Sequence, residues 1–278
     1  MKTWTLLDVL EWTTVFFKER NIPSPRVDAE WILAHVFKIK RLEIYLRYAQ
    51  PLSKEELVVI RNLVIRRANR EPLQYIMGET NFYGYNFQLN ESVLIPRPET
   101  EFLVERIIKE NKDKISFLDI GTGSGAVSVT LAKELPGSRV TALDISAEAL
   151  ETAKKNAELN GAEINFLSGD IFPDEKTRFD VIVSNPPYIS NKDYENLEPE
   201  IKRYEPKSAL VAEENGLFFY KKILEKAEDY LNEKGIIYFE IGENQAKEIR
   251  KEAVKNGFSF CETYPDLNGF DRYMKIMK

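Results

Sequence analysis

An apolar run that stops in a cluster of glycines and resumes as a helix leaves this chain few folds to choose from. Phe117-Leu118-Asp119-Ile120 leads into Gly121-Thr122-Gly123-Ser124-Gly125, and the pattern from Val127 to Leu135 is helical. Strand, tight turn and helix in that order open a sheet flanked by helices, because glycine permits the sharp turn and the helix start leaves free N–H groups facing it. A turn of this kind suits a nucleotide-like ligand.

Read as G-x-G-x-x-A, the loop fits the dinucleotide fingerprint, so by itself it leaves nicotinamide and S-adenosylmethionine chemistry open. Asp119 favours the second, since an acid two residues before the first glycine repels phosphates and attracts a sulfonium and an amino group. Gly121, Thr122, Gly123, Ser124 and Gly125 are then expected to hold the cofactor. Arg139 to Asp144 reads as the next strand, followed by a helix over Ala147 to Asn160. Ser146 is the better N-cap for that helix, which leaves the Asp144 carboxylate for two ribose hydroxyls. A third strand, Ile164 to Leu167, reaches Asp170 and Ile171. Asp170 is placed to accept from an adenine amino group while Ile171 packs on the ring, although Gly-Asp is also a common turn.

A further strand, Phe179 to Ser184, ends at Asn185-Pro186-Pro187-Tyr188. Two prolines stop the strand and fix the backbone, so the Asn185 side chain and the Pro186 carbonyl can address one small target without competing for ladder hydrogen bonds. Tyr188 supplies an aromatic face for it. The arrangement suits a planar NH2 group. Taken alone, Pro-Pro also serves as plain punctuation of a strand.

Together these residues resemble a class I S-adenosylmethionine-dependent methyltransferase whose Asn-Pro-Pro-Tyr loop accepts a conjugated amino group. Arg70 to Glu79, Ile95 to Glu101, Tyr204-Glu205-Pro206 and Asn268 to Arg272 are similar to one branch, the protein-glutamine N5-methyltransferases of peptide chain release factors, or HemK/PrmC family. The likeness runs over nearly the whole chain from Arg70 onward. It implies an α/β, Rossmann-like, mostly parallel sheet with an antiparallel last strand, and S-adenosyl-L-methionine as cofactor. The implied acceptor is the glutamine of a Gly-Gly-Gln loop in a release factor, with Asn185, Pro186 and Tyr188 catalytic and Pro187 beside them in the substrate site. The same likeness sets the Ile95 to Glu101 loop across from Asn185, which makes Arg97, Glu99 and Glu101 candidate walls of the substrate pocket. Glu99 and Glu101 equally suit the first turn of a helix opened by Pro98.

Length and composition fit two cores, with 278 residues of which 43% are hydrophobic. Helical spacing over Leu6 to Arg20, Pro25 to Phe37 and Lys54 to Ala68, with a turn near Leu42 to Leu46, predicts a small helical substrate-recognition domain over residues 1–78. Alternating aromatics around Gly84 predict a β-hairpin linker within 79–96 that packs between domains, ahead of a catalytic domain over 97–278. Asp8, Glu11 and Glu19 make the first 21 residues an amphipathic helix rather than a secretory leader. No stretch is long and apolar enough for a membrane span, and a cytoplasmic monomer is expected. One cysteine and one histidine cannot assemble a disulfide or a Cys/His zinc site, so no metal is expected and His35 reads as structural.

Charge bears on the partner. Residues 1 to 80 carry 13 basic and 10 acidic side chains and the remainder 26 and 35, for a net −6 overall. A nucleic-acid enzyme gains its affinity from a basic surface, so DNA or RNA amino-methylation stands second to a protein substrate. A non-catalytic binding module on the same fold stands third. Arg61, Arg66, Arg67 and Arg70 are spaced to share one helical stripe, as a solvated face or a contact for an acidic partner.

Overall fold

The computed structural model describes residues 3–278; Met1 and Lys2, where the expected helical domain begins, lie outside the described residues. The chain divides into two units, one running to Gly78 and including 199–204, the other comprising 79–198 and 205–278.

In the first unit, Thr5 and Asp8 exchange side-chain and backbone hydrogen bonds to start α1 (Leu6–Lys18), and Ser53 and Glu56 do the same for α3 (Lys54–Ala68). Pro25 opens α2 (Pro25–Phe37) with its ring in the position where the missing N–H is harmless. A 3-10 turn over Arg41–Leu46 and the short α4 (Leu73–Met77) complete the series. Leu6, Leu10, Phe17, Ile32, Leu33, Ile60 and Val64 form the core, each such side chain contributing about 1.5–3 kcal/mol of transfer free energy.

The arginine stripe does not make a docking face in this unit. Arg66 bonds Glu71, Arg67 bonds Asp28 at 2.7 Å, and Arg67 and Arg70 both reach Glu200, at 3.3 and 3.1 Å. The helical spacing was right, but three of the four cations are spent on acids inside the same unit, and only Arg61 stands among exposed neighbours without such an ion pair in view. Glu200 belongs to α9 (Pro199–Tyr204), six residues that pack with this unit although they follow Asn185 in sequence.

The second unit begins with β1 (Glu79–Phe82) and β2 (Tyr85–Gln88), joined by Tyr83 and Gly84, both at positive φ as a tight hairpin turn requires. Its aromatics are not packing between domains: Phe82 and Phe87 are buried among Leu103, Val104 and Phe117 in the core of this unit. After α5 (Pro98–Glu110) come β3 (Ser116–Ile120), α6 (Ala126–Glu134), β4 (Arg139–Asp144), α7 (Ala147–Asn160), β5 (Ile164–Ser168) and β6 (Phe179–Ser184). Short segments α8 (Asn191–Tyr194) and α9 precede a distorted turn, α10 (Glu213–Gly216). Then follow α11 (Phe218–Tyr230), β7 (Leu231–Glu240), α12 (Ala246–Lys255), β8 (Phe260–Pro265) and β9 (Asp271–Met277).

The seven strands run in the order β5-β4-β3-β6-β7-β9-β8, all parallel except β9, which lies antiparallel between β7 and β8. This is the mostly parallel sheet with an antiparallel last strand that the sequence implied. Alternation along the strands splits the core in two: Phe117, Val181, Val183 and Tyr238 face one side, and Leu118, Ile182, Ile237 and Phe239 the other. Strands buried on both faces need helices on both.

Strand order reverses at β3, whose successors spread to one side while β6 and β7 lie on the other. A crevice must open there, outside the carboxyl ends of β3 and β6. Register decides what borders it. Ile120 pairs with Leu143 and with Ser184, so the residues that follow, Gly121, Asp144 and Asn185, come to one level.

Candidate active site

The glycine loop takes its shape from the strand beside it. Gly121 and Thr122 donate to the Leu143 carbonyl at 2.8 and 3.0 Å, and Gly123 donates to Asp144 Oδ2 at 2.8 Å. Gly121 and Gly123 have positive φ and nothing within 4 Å of where a Cβ would stand, and both border the crevice. A side chain there would take the space of a ligand. Gly125 serves another purpose than the cofactor contact expected of it. A Cβ there would stand 3.1 Å from that of Ala153, so this glycine lets α6 and α7 close on each other, and it borders none of the cavities described below.

Asp119 is 2% exposed and accepts on Oδ2 from Thr122, at 2.7 Å, and from Ser128. Burial pushes its carboxyl up to about 6, with the Asp144 charge adding to the effect and the two hydroxyls opposing it. Asp144 is less free than its strand-end position suggested. Ser146 does cap α7 through Ala149, yet both Asp144 oxygens already accept backbone N–H groups, from Gly123 and from Ser146 at 2.9 Å. Each oxygen keeps a second lone pair.

One cavity runs along Gly121, Gly123, Asp144, Asp170, Ile171 and Asn185. Asp170 is exposed and Ile171 buried along its wall. A smaller one is bordered by Arg97, Thr100, Asp119, Thr122, Ser124 and Asn185. Gly121, Gly123 and Asn185 line both, so Asn185 stands where the two adjoin. Pro186 and Pro187 face the first. Tyr188 turns to a third, with Arg97, Glu99, Glu240 and Arg272.

Tyr188 is held at both ends. Its backbone carbonyl accepts from Gln245 Nε2 at 3.0 Å, and its hydroxyl lies 3.5 Å from Glu240 Oε1. Burial and the Glu240 charge push the phenol well above its ordinary range, so it stays protonated. Gly216, at φ +84°, leaves room for the carbonyl: a Cβ there would stand 2.0 Å from the Tyr188 oxygen.

Arg97 joins the site and Glu101 does not. Arg97 Nη2 meets Glu205 Oε1 at 2.6 Å, and Glu205 Oε2 accepts from Ile95 N at 3.3 Å, which ties the Ile95 to Glu101 loop to the Tyr204-Glu205-Pro206 segment. Glu101 points instead at the hairpin, where Oε1 accepts from Tyr83 N at 2.8 Å. Two turns of phase along α5 separate the roles: Glu99, not Glu101, borders the Tyr188 cavity. Thr100, Glu240, Gln245 and Gly216 were missed by sequence reasoning. Only Glu240 carried a signal, as an acid closing the apolar run from Ile236 to Phe239 at a strand's carboxyl end.

What the residues fit can be stated. A buried carboxylate facing a cavity suits a cationic group, a glycine pair without Cβ suits close backbone approach, and Asp144 retains acceptor capacity for hydroxyls. That set matches the methionine and nucleoside ends of S-adenosylmethionine.

Comparison with known proteins agrees. A family described as the PrmC N-terminal domain matches residues 8–78, and one described as the methyltransferase small domain matches 98–201. A release factor glutamine methyltransferase of Geobacter sulfurreducens is 42% identical over 270 residues, 97% of this chain and 95% of the relative. Another, from Chlorobaculum tepidum, is 40% identical over 290 residues, 99% and 98% of the two chains. Among solved structures, a methyltransferase from Pyrococcus furiosus aligns with a TM-score of 0.55 at 21% identity, over 82% of this chain and 99% of that one, a likeness of fold.

Proposed function

Because the chain belongs to the release factor glutamine methyltransferases, we propose that it transfers a methyl group from S-adenosyl-L-methionine to the side-chain nitrogen, N5, of the glutamine in the Gly-Gly-Gln loop of a peptide chain release factor. The observation that carries this reading is Asn185, which borders both the Asp144 cavity and the Asp119 cavity and so stands where donor and acceptor must meet.

S-adenosylmethionine, when bound, supplies an electrophilic methyl on a sulfonium. The chain's own residues do the rest. Asp144 accepts from the ribose, Asp170 and Ile171 take the adenine, and Asp119 faces the cationic methionine end. An amide nitrogen is a poor nucleophile because its lone pair is delocalised into the carbonyl, so it must be held in line and out of full conjugation. Asn185 Oδ1 and the Pro186 carbonyl accept its two hydrogens, and Pro187 and Tyr188 enclose it, Tyr188 against the amide plane. As positive charge passes to the nitrogen, these fixed acceptors interact with it more strongly than in the ground state. Alignment supplies much of the remainder, with about 7–11 kcal/mol available in principle. The leaving proton goes to water.

The test offers labelled donor to a release factor, to its Gln→Ala loop variant, and to DNA and RNA. Label on the release factor alone is expected. Label on nucleic acid or on the Gln→Ala factor would overturn the reading.

A further inference from the structure

An asparagine amide can sit either way round in nearly the same space, and only one way serves this reaction. With Oδ1 toward the acceptor, Asn185 receives a hydrogen from the glutamine amide; with Nδ2 there, two NH2 groups face each other. Something must choose.

The choice lies in a hydroxyl that has a single proton to give. Thr100 Oγ1 is 2.6 Å from Glu240 Oε2, a buried contact in which the carboxylate can only accept. The hydroxyl proton is thereby committed to Glu240. What Thr100 has left is acceptor capacity, and Asn185 Nδ2 stands 3.4 Å from it, at the long end of hydrogen-bond range. The amide nitrogen is drawn to Thr100, and Oδ1 is left to the cavity.

Glu240 is suited to hold that proton. It is 1% exposed at the carboxyl end of β7, and Arg97 and Arg272 border the same cavity and favour its ionised form, against the opposing charge of Glu99. Its other oxygen, Oε1, faces the Tyr188 hydroxyl at 3.5 Å. The Tyr220 hydroxyl donates to its backbone carbonyl at 2.8 Å, fixing the strand end from below. One carboxylate thus addresses both ends of the Asn185 to Tyr188 loop.

We propose that Thr100 and Glu240 are positioning residues that set the orientation of the Asn185 amide, so that its oxygen rather than its nitrogen meets the substrate; this rests on the role given to Asn185 above. Neither residue touches the reacting atoms. Their effect belongs in the chemical step and not in binding of the donor.

The experiment compares full-length wild type, Thr100→Val and Thr100→Ser for kcat and KM on a release factor and for donor affinity by calorimetry. Valine keeps the shape and removes the hydroxyl; serine keeps the hydroxyl. Thr100→Val is expected to lower kcat by about tenfold to a hundredfold with KM and donor Kd within about twofold, and Thr100→Ser to stay within about threefold of wild type. A Thr100→Val kcat within about twofold of wild type overturns the proposal. So does a Thr100→Ser loss as large as that of Thr100→Val, or a loss of donor affinity in step with kcat, since each assigns Thr100 to packing or to the cofactor. Asn185→Ala run alongside separates the two levels: inactive Asn185→Ala with fully active Thr100→Val refutes the relay alone, whereas active Asn185→Ala refutes the site itself.

Discussion

Asp119 makes donor binding depend on pH, and the size of the effect follows from its burial. Its carboxyl is raised from 3.8 to about 6 in the donor-free protein, first by desolvation and then by the Asp144 charge, against hydrogen bonds from Ser128 and Thr122. The folded value is the higher, so the native state holds a proton that the unfolded chain has lost. Stability from this group therefore falls as pH rises between 3.8 and about 6, and above that window the ionised carboxylate costs the donor-free protein on the order of 3 kcal/mol. A cation in the cavity reverses the preference. Binding of S-adenosylmethionine should then expel one proton near and below pH 6, and affinity should fall by up to about tenfold for each pH unit below it. Titration calorimetry from pH 5 to 8, in two buffers of different ionisation enthalpy, reads both quantities. Asp119→Asn should flatten the profile, weaken binding at neutral pH by at least about tenfold, and raise the unfolding midpoint of the donor-free protein at pH 8. Affinity that stays level down to pH 5, or an Asp119→Asn variant that binds as wild type does, would refute the reasoning.

Two substitutions test the framework around the site. Gly216→Ala forces an L-residue to φ +84° and drives a methyl group into the Tyr188 carbonyl, so thermal or denaturant unfolding should show a loss of about 2 kcal/mol or more, together with reduced turnover. Wild-type stability would mean that the turn relaxes freely. Arg67→Ala leaves Asp28 and Glu200 without their shared cation and should cost about 3–5 kcal/mol in denaturant titration, far more than the same change at the exposed Arg61.

Much of this arrangement was legible because its signals are local. Capping pairs, the stretch from Phe117 to Gly125, and the prolines after Ser184 each act on backbone within a few residues, and α3 and α7 fall where periodicity put them. Strand order followed from the alternation of strand and helix together with the resemblance. What escaped depends on distance. Thr100 meets Glu240 across 140 positions and Asn185 across 85, and neither pairing leaves a trace in spacing. Gly125 looked like its neighbours, since a glycine needed for close helix packing and one needed for ligand approach read the same in sequence. Glu101 has the right motif and the wrong helical phase. The polar stretch from Ile189 to Leu217, with its short helices, shows no period, and its six residues from Pro199 to Tyr204 pack with the N-terminal unit because Glu200 there answers two arginines.

The account stands or falls on Asn185 acting upon a glutamine amide. Tandem mass spectrometry of a release factor after reaction with wild type and with Asn185→Ala, at donor concentrations saturating for both, reads this at the level of the modified atom. One added methyl on the glutamine of the Gly-Gly-Gln loop is expected with wild type, and a loss of at least about a thousandfold in its rate with Asn185→Ala while donor affinity stays within a few-fold. A methyl group on any other residue, or equal methylation by the two proteins, would contradict it.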